Sequence, residues 1–414
     1  MSTILPPEQA IMGSCMKNKN ANTTAAASPF TVQNHGKDIH VFLGRSKENY
    51  YSVVQSLQDS VDYDTVERVH IVIENGKYNH GDPEAFPSLL RAAADLPKLT
   101  EVSIAINQAR WLSGSDLVHL LTSAPQLEIL KFHDFVVTQS LYPLAEALRS
   151  HPSLHTVEMI QCHCRPVHVL IEALASMREV RLDGTILRQQ RDGDAVVALQ
   201  RLCRSCHLER FVLVDIPEVG VTQQFIAMME ALQKATGLRE LTIQVEPHEI
   251  LPIGVINAVA KMLARNHSIT RLSISWMAGC ELLLPIIEDG IAHNTTLKDF
   301  RFVPGLHCSK TNDQVAVLSP RFRQRVADVL RANTTLTYLW VDSWLDIDRE
   351  IDLYMRANQL GRGYLLQPCS KKSDLDERPS HEAWAEALVA SRDRVHLSFY
   401  WLTHNPSLLP QHYY

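Results

Sequence analysis

The sequence predicts an open α/β solenoid, a horseshoe of about eleven strand–helix units with a parallel sheet inside and helices outside. Three observations predict it. A short apolar pattern, L-x-x-L-x-L with other apolar residues allowed at its anchors, recurs along the chain. Amphipathic helical stretches separate its copies, and the junctions between each helix and the next strand resemble one another.

Taken in order, residues 1–37 are rich in Ala, Asn, Thr, Ser and Pro, include ANTTAAASP, and are expected to form a disordered tail. The repeats are expected over residues 38–345 and a capping segment over 346–414. Two faint copies come first, around Val41 and Leu43 and then at Val66, Val69 and Ile71. Five full copies are anchored by Leu99-Val102-Ile104, Leu127-Leu130-Phe132, Leu154-Val157-Met159, Met177-Val180-Leu182 and Leu208-Phe211-Leu213. Four more follow at Leu238-Leu241-Ile243, Ile269-Leu272-Ile274, Leu297-Phe300-Phe302 and Leu336-Leu339-Val341. From Val41 to Leu339 the middle anchor advances 298 residues in ten intervals, with steps from 23 (Val157 to Val180) to 39 (Phe300 to Leu339).

Between the copies, apolar residues recur at a spacing of three and four, the mark of a helix with one buried stripe. Such stripes are Leu141, Leu144 and Leu148; Val255, Val259, Met262 and Leu263; and Phe322, Val326, Val329 and Leu330. The junctions Ser-His-Pro-Ser-Leu (150–154), Arg-Asn-His-Ser-Ile (265–269), His-Asn-Thr-Thr-Leu (293–297) and Ala-Asn-Thr-Thr-Leu (332–336) end helices and launch strands. Asn there predicts a left-handed helix terminus, and Ser/Thr the tight turn after it. A unit of about 30 residues cannot bury its own apolar face, so stacked neighbours must share one core. Helices about 10 Å wide behind strands about 4.8 Å apart force the stack to curve, strands inward.

These residues resemble leucine-rich repeats of the ribonuclease-inhibitor-like type, whose units also carry a helix; the resemblance runs from about Ile39 to Trp344. That family carries an Asn three residues beyond the last strand leucine. Here it stands at Asn107, is replaced by Cys162 in one unit and is otherwise mostly lost, which predicts less regular loops. Ile351–Arg362, the helix pattern around Trp384 and Leu388, and Phe399–Leu409 with Tyr400 and Trp401 resemble the closing segment of leucine-rich-repeat proteins of diatoms.

Composition excludes several classes. Forty Lys+Arg against forty-six Asp+Glu leave a net charge of −6, so binding driven by phosphate charge, hence nucleic acid, is not expected. Mean hydropathy is −0.10 and no apolar run approaches the length of a membrane-spanning helix. The opening MSTILPPEQA has no secretory pattern, so a cytoplasmic chain with reduced thiols is expected. Polar stretches at 304–320 and 367–381 read as connections.

Motifs that carry chemistry have plainer readings here. Cys203-Arg-Ser-Cys206-His207 matches the haem-attachment string C-x-x-C-H, but Cys206 and His207 occupy the places of Thr334 and Thr335 in the last junction. Cys162 and Cys164 follow their strand while Cys203 and Cys206 precede theirs, so the four thiols fall at opposite ends of the sheet, too far apart for one zinc ion. Asp346, Asp348 and Asp352 read as acids at a helix start. Met12-Gly-Ser-Cys15 is internal, and nucleotide-loop, serine-hydrolase and zinc-protease motifs are absent. No cofactor is expected and the chain reads as a non-enzyme.

What remains is the concave face, formed by the third and fifth residues of each pattern, since strand side chains alternate. Lys131, Glu158 and Arg181 should form an alternating-charge ladder there. Tyr338 and Trp340 place two large aromatics on one strand beside Arg301, the residue types that dominate binding hot spots. The partner surface is therefore placed on Tyr338, Trp340, Arg301, Arg271, Arg181 and Lys131. The function predicted is a protein-interaction scaffold binding a protein partner through this face and the rim loops. Two rivals are a GTPase-activating protein, an activity of one branch of the family, and a ubiquitin-ligase substrate receptor. The first lacks a singled-out arginine and that branch's acidic tail. For the second, Ile4-Leu-Pro-Pro-Glu8 resembles the opening of a ligase-docking domain, but the tail leaves no room for its helices.

Overall fold

The computed structural model describes residues 30–35, 37–43, 65–73, 85–112, 114–137, 141–164, 166–183, 193–216, 222–245, 252–276, 283–304, 320–341 and 349–359. The tail up to residue 29, the connections within 305–319 and 367–381, Asp346, Asp348, Met12–Cys15 and the aromatic segment around Trp384–Trp401 lie outside these residues.

Eleven strands form one parallel run: β2 (Asp38–Leu43), β3 (Arg68–Ile73), β4 (Glu101–Leu112), β5 (Ile129–Val137), β6 (Thr156–Ile160), β8 (Glu179–Asp183), β9 (Arg210–Ile216), β10 (Glu240–Val245), β11 (Arg271–Trp276), β12 (Asp299–Pro304) and β13 (Tyr338–Val341). Two further strands complete the sheet. β1 (Phe30–His35) pairs antiparallel with β2 at the edge, and β7 (His163–Cys164) extends the far end of β5. Sequence order is spatial order and the sheet stays open, the arrangement of an α/β leucine-rich-repeat solenoid.

Strand alternation sets the layers. The fourth-position row runs in register from Ile39 through Val69, Val102 and Leu130 to Leu272, Phe300 and Leu339. Its members are buried, as are Val41, Ile71, Ile104 and Phe132 two residues further along each strand. The helices behind them bury the expected stripes: Leu141, Leu144 and Leu148 in Leu141–Ser150; Val255, Val259, Met262 and Leu263 in Ile253–Arg265; Phe322, Val326 and Leu330 in Pro320–Ala332. Val329 is only partly buried, at the margin of its stripe. All these apolar groups join one core from Ile39 to Met355.

Four expectations need correction. The middle anchor of the first unit is Ile39, which pairs with Val69, whereas Val41 pairs with Ile71. A slip of two residues keeps the same face inward, so periodicity alone could not detect it. Phe30–His35 belong to an edge strand rather than the tail: FTVQNH alternates well enough to pair, and His35 sits opposite Asp38 of β2. The unit before β12 has a π-helical turn (Ile286–Gly290) and a 3-10 turn (Ile291–His293) where others have an α-helix. Gly290 allows this close approach, since a Cβ there would lie 3.2 Å from the Ala260 carbonyl oxygen.

The fourth concerns the junction asparagines. Asn266 and Asn294 have φ of −82° and −85° with extended ψ, so no left-handed terminus exists at either. Their side chains are the reason for Asn. Asn294 Nδ2 donates to the carbonyls of Leu263 (2.7 Å) and Asn266 (3.0 Å) in the preceding unit, while its Oδ1 accepts from the backbone N–H of Thr296 (2.9 Å) and Leu297 (2.6 Å). Asn266 and Asn333 repeat the pattern. Buried backbone groups must be paired, and at each of these three junctions one amide does this between turns. Cys162 does related work beyond β6: its buried thiol donates to the carbonyls of Phe132 (3.5 Å) and Ile160 (3.3 Å).

Candidate functional site: the concave face

Parallel pairing turns each strand position into a row crossing the inner face. The fifth-position row runs Ser103, Lys131, Glu158, Arg181, Val212, Thr242, Ser273, Arg301, Trp340, each paired with the next. The third-position row ends Glu179, Arg210, Glu240, Arg271, Asp299, Tyr338. All six predicted partner-surface residues therefore stand on this face.

They do not form one cluster. Lys131 stands toward the amino-terminal half and donates to Glu101 at 2.7 Å, not to Glu158 as the expected ladder requires. Glu158 is engaged instead by His133 Nε2 (3.3 Å) and Arg181 Nε (3.5 Å). Burial alone would raise the Glu158 pKa, but the hydrogen bond with His133 and the charges of Arg181, His133 and Lys131 outweigh it and lower the value. Arg181, Arg271 and Arg301 share a basin of about 370 Å³ further along the face. At its end Tyr338 and Trp340 are 42% and 38% exposed, high for aromatics on a strand. Arg301 is fixed between them and the basin: Nε and one terminal nitrogen bind Asp299 at 2.9–3.2 Å, and the guanidinium lies 5.2 Å from the Tyr338 ring centroid. The hydrogen bond with Asp299 raises the Arg301 pKa, so its charge is permanent.

Several features were not singled out from the sequence. Arg210 and Glu240 complete a five-strand alternation from Glu179 to Asp299, tied by Arg210–Glu179 at 2.9 Å, Arg210–Glu240 at 3.5 Å and a close Arg271–Glu240 pair. The signal was present, since every third position from Glu179 to Asp299 changes sign. His40 and His70 stack on neighbouring strands with ring centroids 4.6 Å apart. Burial and the neighbouring His40 lower the His70 pKa. They occupy fifth positions of the two faint units.

The cysteines sort by burial. Cys203 lies inside the helix Gly193–Arg204, where burial pushes its thiol up to about 12, while Cys206 in the following turn is exposed. The two thiols of the C-x-x-C-H string thus face opposite environments. Cys162 and Cys164 are buried beyond β6. Among the described residues no group of three or more His, Cys, Asp or Glu is placed to hold a metal ion, and no helix is long and apolar enough to cross a membrane.

No protein-family model matches the chain. No curated protein matches it either. Among solved structures it is similar to the actin-binding site 2 of leiomodin-1, at 20% identity over 35% of this chain and 78% of that one, with a TM-score of 0.27. It is also similar to the Rad7 and Elc1 complex of yeast, at 11% identity over 72% of this chain and 77% of that one, with a TM-score of 0.31. Neither likeness bears on a partner or an activity; the solenoid rests on the pairing and burial described above.

Proposed function

We propose that the chain is a non-enzymatic scaffold of the ribonuclease-inhibitor-like type, acting in the cytoplasm and holding a protein partner on its concave face and rim loops. One observation carries the reading: Tyr338 and Trp340 stand half-exposed on one strand beside an Arg301 that Asp299 already holds in place. Aromatic and arginine side chains whose rotamers are fixed before binding lose little entropy on contact, which suits them as anchors. The rows on either side offer spaced charges and short side chains, a surface built for multipoint complementarity.

The test is affinity capture with the full chain followed by mass spectrometry, run beside the double variant Trp340→Ala, Arg301→Ala. The expected result is a partner that binds the purified chain directly and is lost from the variant by at least about tenfold, with the circular dichroism spectrum unchanged. Full retention rejects this surface. Stimulated nucleotide hydrolysis on a small GTPase, or recovery of a ubiquitin-ligase adaptor dependent on residues 1–60, would replace the scaffold reading with a rival.

A further inference from the structure

Between Arg181 on β8 and Arg301 on β12 the fifth-position row carries only Val212, Thr242 and Ser273. Three successive short side chains make a trough, floored by the buried Val212 and Val214. Four arginines line it, Arg181, Arg210, Arg271 and Arg301, against two carboxylates, Glu240 and Asp299. Glu158 and Glu179 pair with Arg181 and Arg210 at its margin, so the formal charges are matched and what an arriving group meets depends on which of them stand outermost.

Height matters as much as number. The four arginine side chains are 39–61% exposed, whereas Glu240 and Asp299 are 27% and 17% exposed. The acids lie low between the strands and the guanidinia stand outermost, so an arriving group meets N–H donors first. Each guanidinium has five of them. Arg210 spends one on a 2.9 Å bond to Glu179, Arg271 binds Glu240 through one terminal nitrogen, and Arg301 binds Asp299 through Nε and one terminal nitrogen, so each fork keeps donors to spare.

Spacing narrows the ligand. At about 4.8 Å per strand, Arg181 to Arg301 is about 19 Å, and Trp340 follows one strand later. An extended peptide advances about 3.3 Å per residue, so six or seven residues span the four arginines. Acidic residues would fall near the two ends, where Arg181–Arg210 and Arg271–Arg301 pair off, with small or apolar ones over Val212. A nucleic acid fits less well, because its unbroken row of phosphates would sit above Glu240 and Asp299 as well as above the arginines.

We propose that this basin binds an extended acidic segment of a protein partner, its carboxylates on the two arginine pairs and an apolar residue against Tyr338 and Trp340. The proposal rests on the scaffold reading and adds the chemistry of the partner.

The test is fluorescence anisotropy of the full chain with a labelled octapeptide, Glu-Glu-Gly-Val-Glu-Glu-Ser-Leu. A version with Lys for every Glu and a thymidine decanucleotide serve as competing probes. The expected result is saturable binding of the acidic peptide only, weakened by added salt and by at least about tenfold in Arg210→Gln, Arg271→Gln. A second variant, Glu240→Gln, removes the acid that Arg210 and Arg271 share and is expected to bind the peptide more tightly, a gain that misfolding cannot imitate. No saturable binding, indifference to both variants, or preference for the oligonucleotide overturns the proposal. If a partner is captured through Trp340 and Arg301 while the acidic peptide is ignored, the scaffold reading stands and this assignment of chemistry fails.

Discussion

Asn294 illustrates how one side chain can settle a junction. Its amide makes four hydrogen bonds to backbone, two to each of two consecutive turns, and accepts a fifth from the Thr296 hydroxyl. Removing it leaves two carbonyls and two N–H groups buried, and each such orphan is costly. Asn294→Ala is expected to destabilise the chain by about 2–4 kcal/mol in urea unfolding. His151 fills the equivalent place between two other units: Nε2 faces the Ala124 carbonyl at 3.0 Å, and Nδ1 faces the N–H groups of Ser153 and Leu154. Two N–H donors aimed at Nδ1 require the neutral ring with its proton on Nε2. Burial lowers the His151 pKa below its ordinary 6.5, against the hydrogen bond to Ala124, which raises it. A lowered folded value means that stability is complete above pH 6.5 and falls as acidification passes through the folded pKa, because the unfolded chain takes the proton first. His151→Asn is expected to keep the stability at pH 7.5 and to flatten its decline toward pH 5, measured by urea midpoints across that range. The sequence displayed these residues at recurring places but not their use. Asn suits both a left-handed turn and a bridging amide, and only the neighbouring unit's carbonyls decide between them.

At the level of the element, period-two and period-3.6 patterns told strands from helices and inner from outer faces with few errors. The errors are where those signals are silent. A shift of two residues at β2 leaves the alternation unchanged, and β1 was hidden in a composition typical of tails. The irregular turns at Ile286–His293 carry the same apolar residues a helix would. Gly237 marks another element-level constraint. Its junction presses so closely on the previous one that a Cβ would lie 2.4 Å from the Cys206 carbonyl oxygen and 3.1 Å from that of Leu208, backbone atoms that cannot swing aside. Gly237→Ala must push the turns apart and is expected to cost about 1–3 kcal/mol by thermal or urea unfolding. The same substitution at Gly254, which faces only the tip of Ile226 at 3.9 Å, should cost nothing or stabilise its helix.

Over the whole molecule, each unit touches mainly its two neighbours, so stability is close to a sum over adjacent pairs. The rows then predict a clean excision. Removing Leu241–Arg271 joins Glu240 to Leu272, position for position, and is expected to give a shorter chain that still unfolds cooperatively in circular dichroism melts. Failure to fold would show that the units are not interchangeable at that seam. The inner face was legible in part. Counting positions placed its side chains from β4 to β13, including the Tyr338, Trp340 and Arg301 group, but not those of the two faint units, where the register slipped. It could not say which acid lies low or that Lys131 turns to Glu101, because those outcomes depend on side-chain length and competition in three dimensions.

The reversed strand β1 has a consequence for how copies of this molecule meet. A solenoid of identical modules resembles a stack that a second stack could lengthen, tail of one onto head of the next, into a fibre. An arriving copy would need a strand pointing its own way with a helix layer behind it. Phe30–His35 present the opposite direction, so a copy added there could not carry on the parallel register that the eleven repeats share.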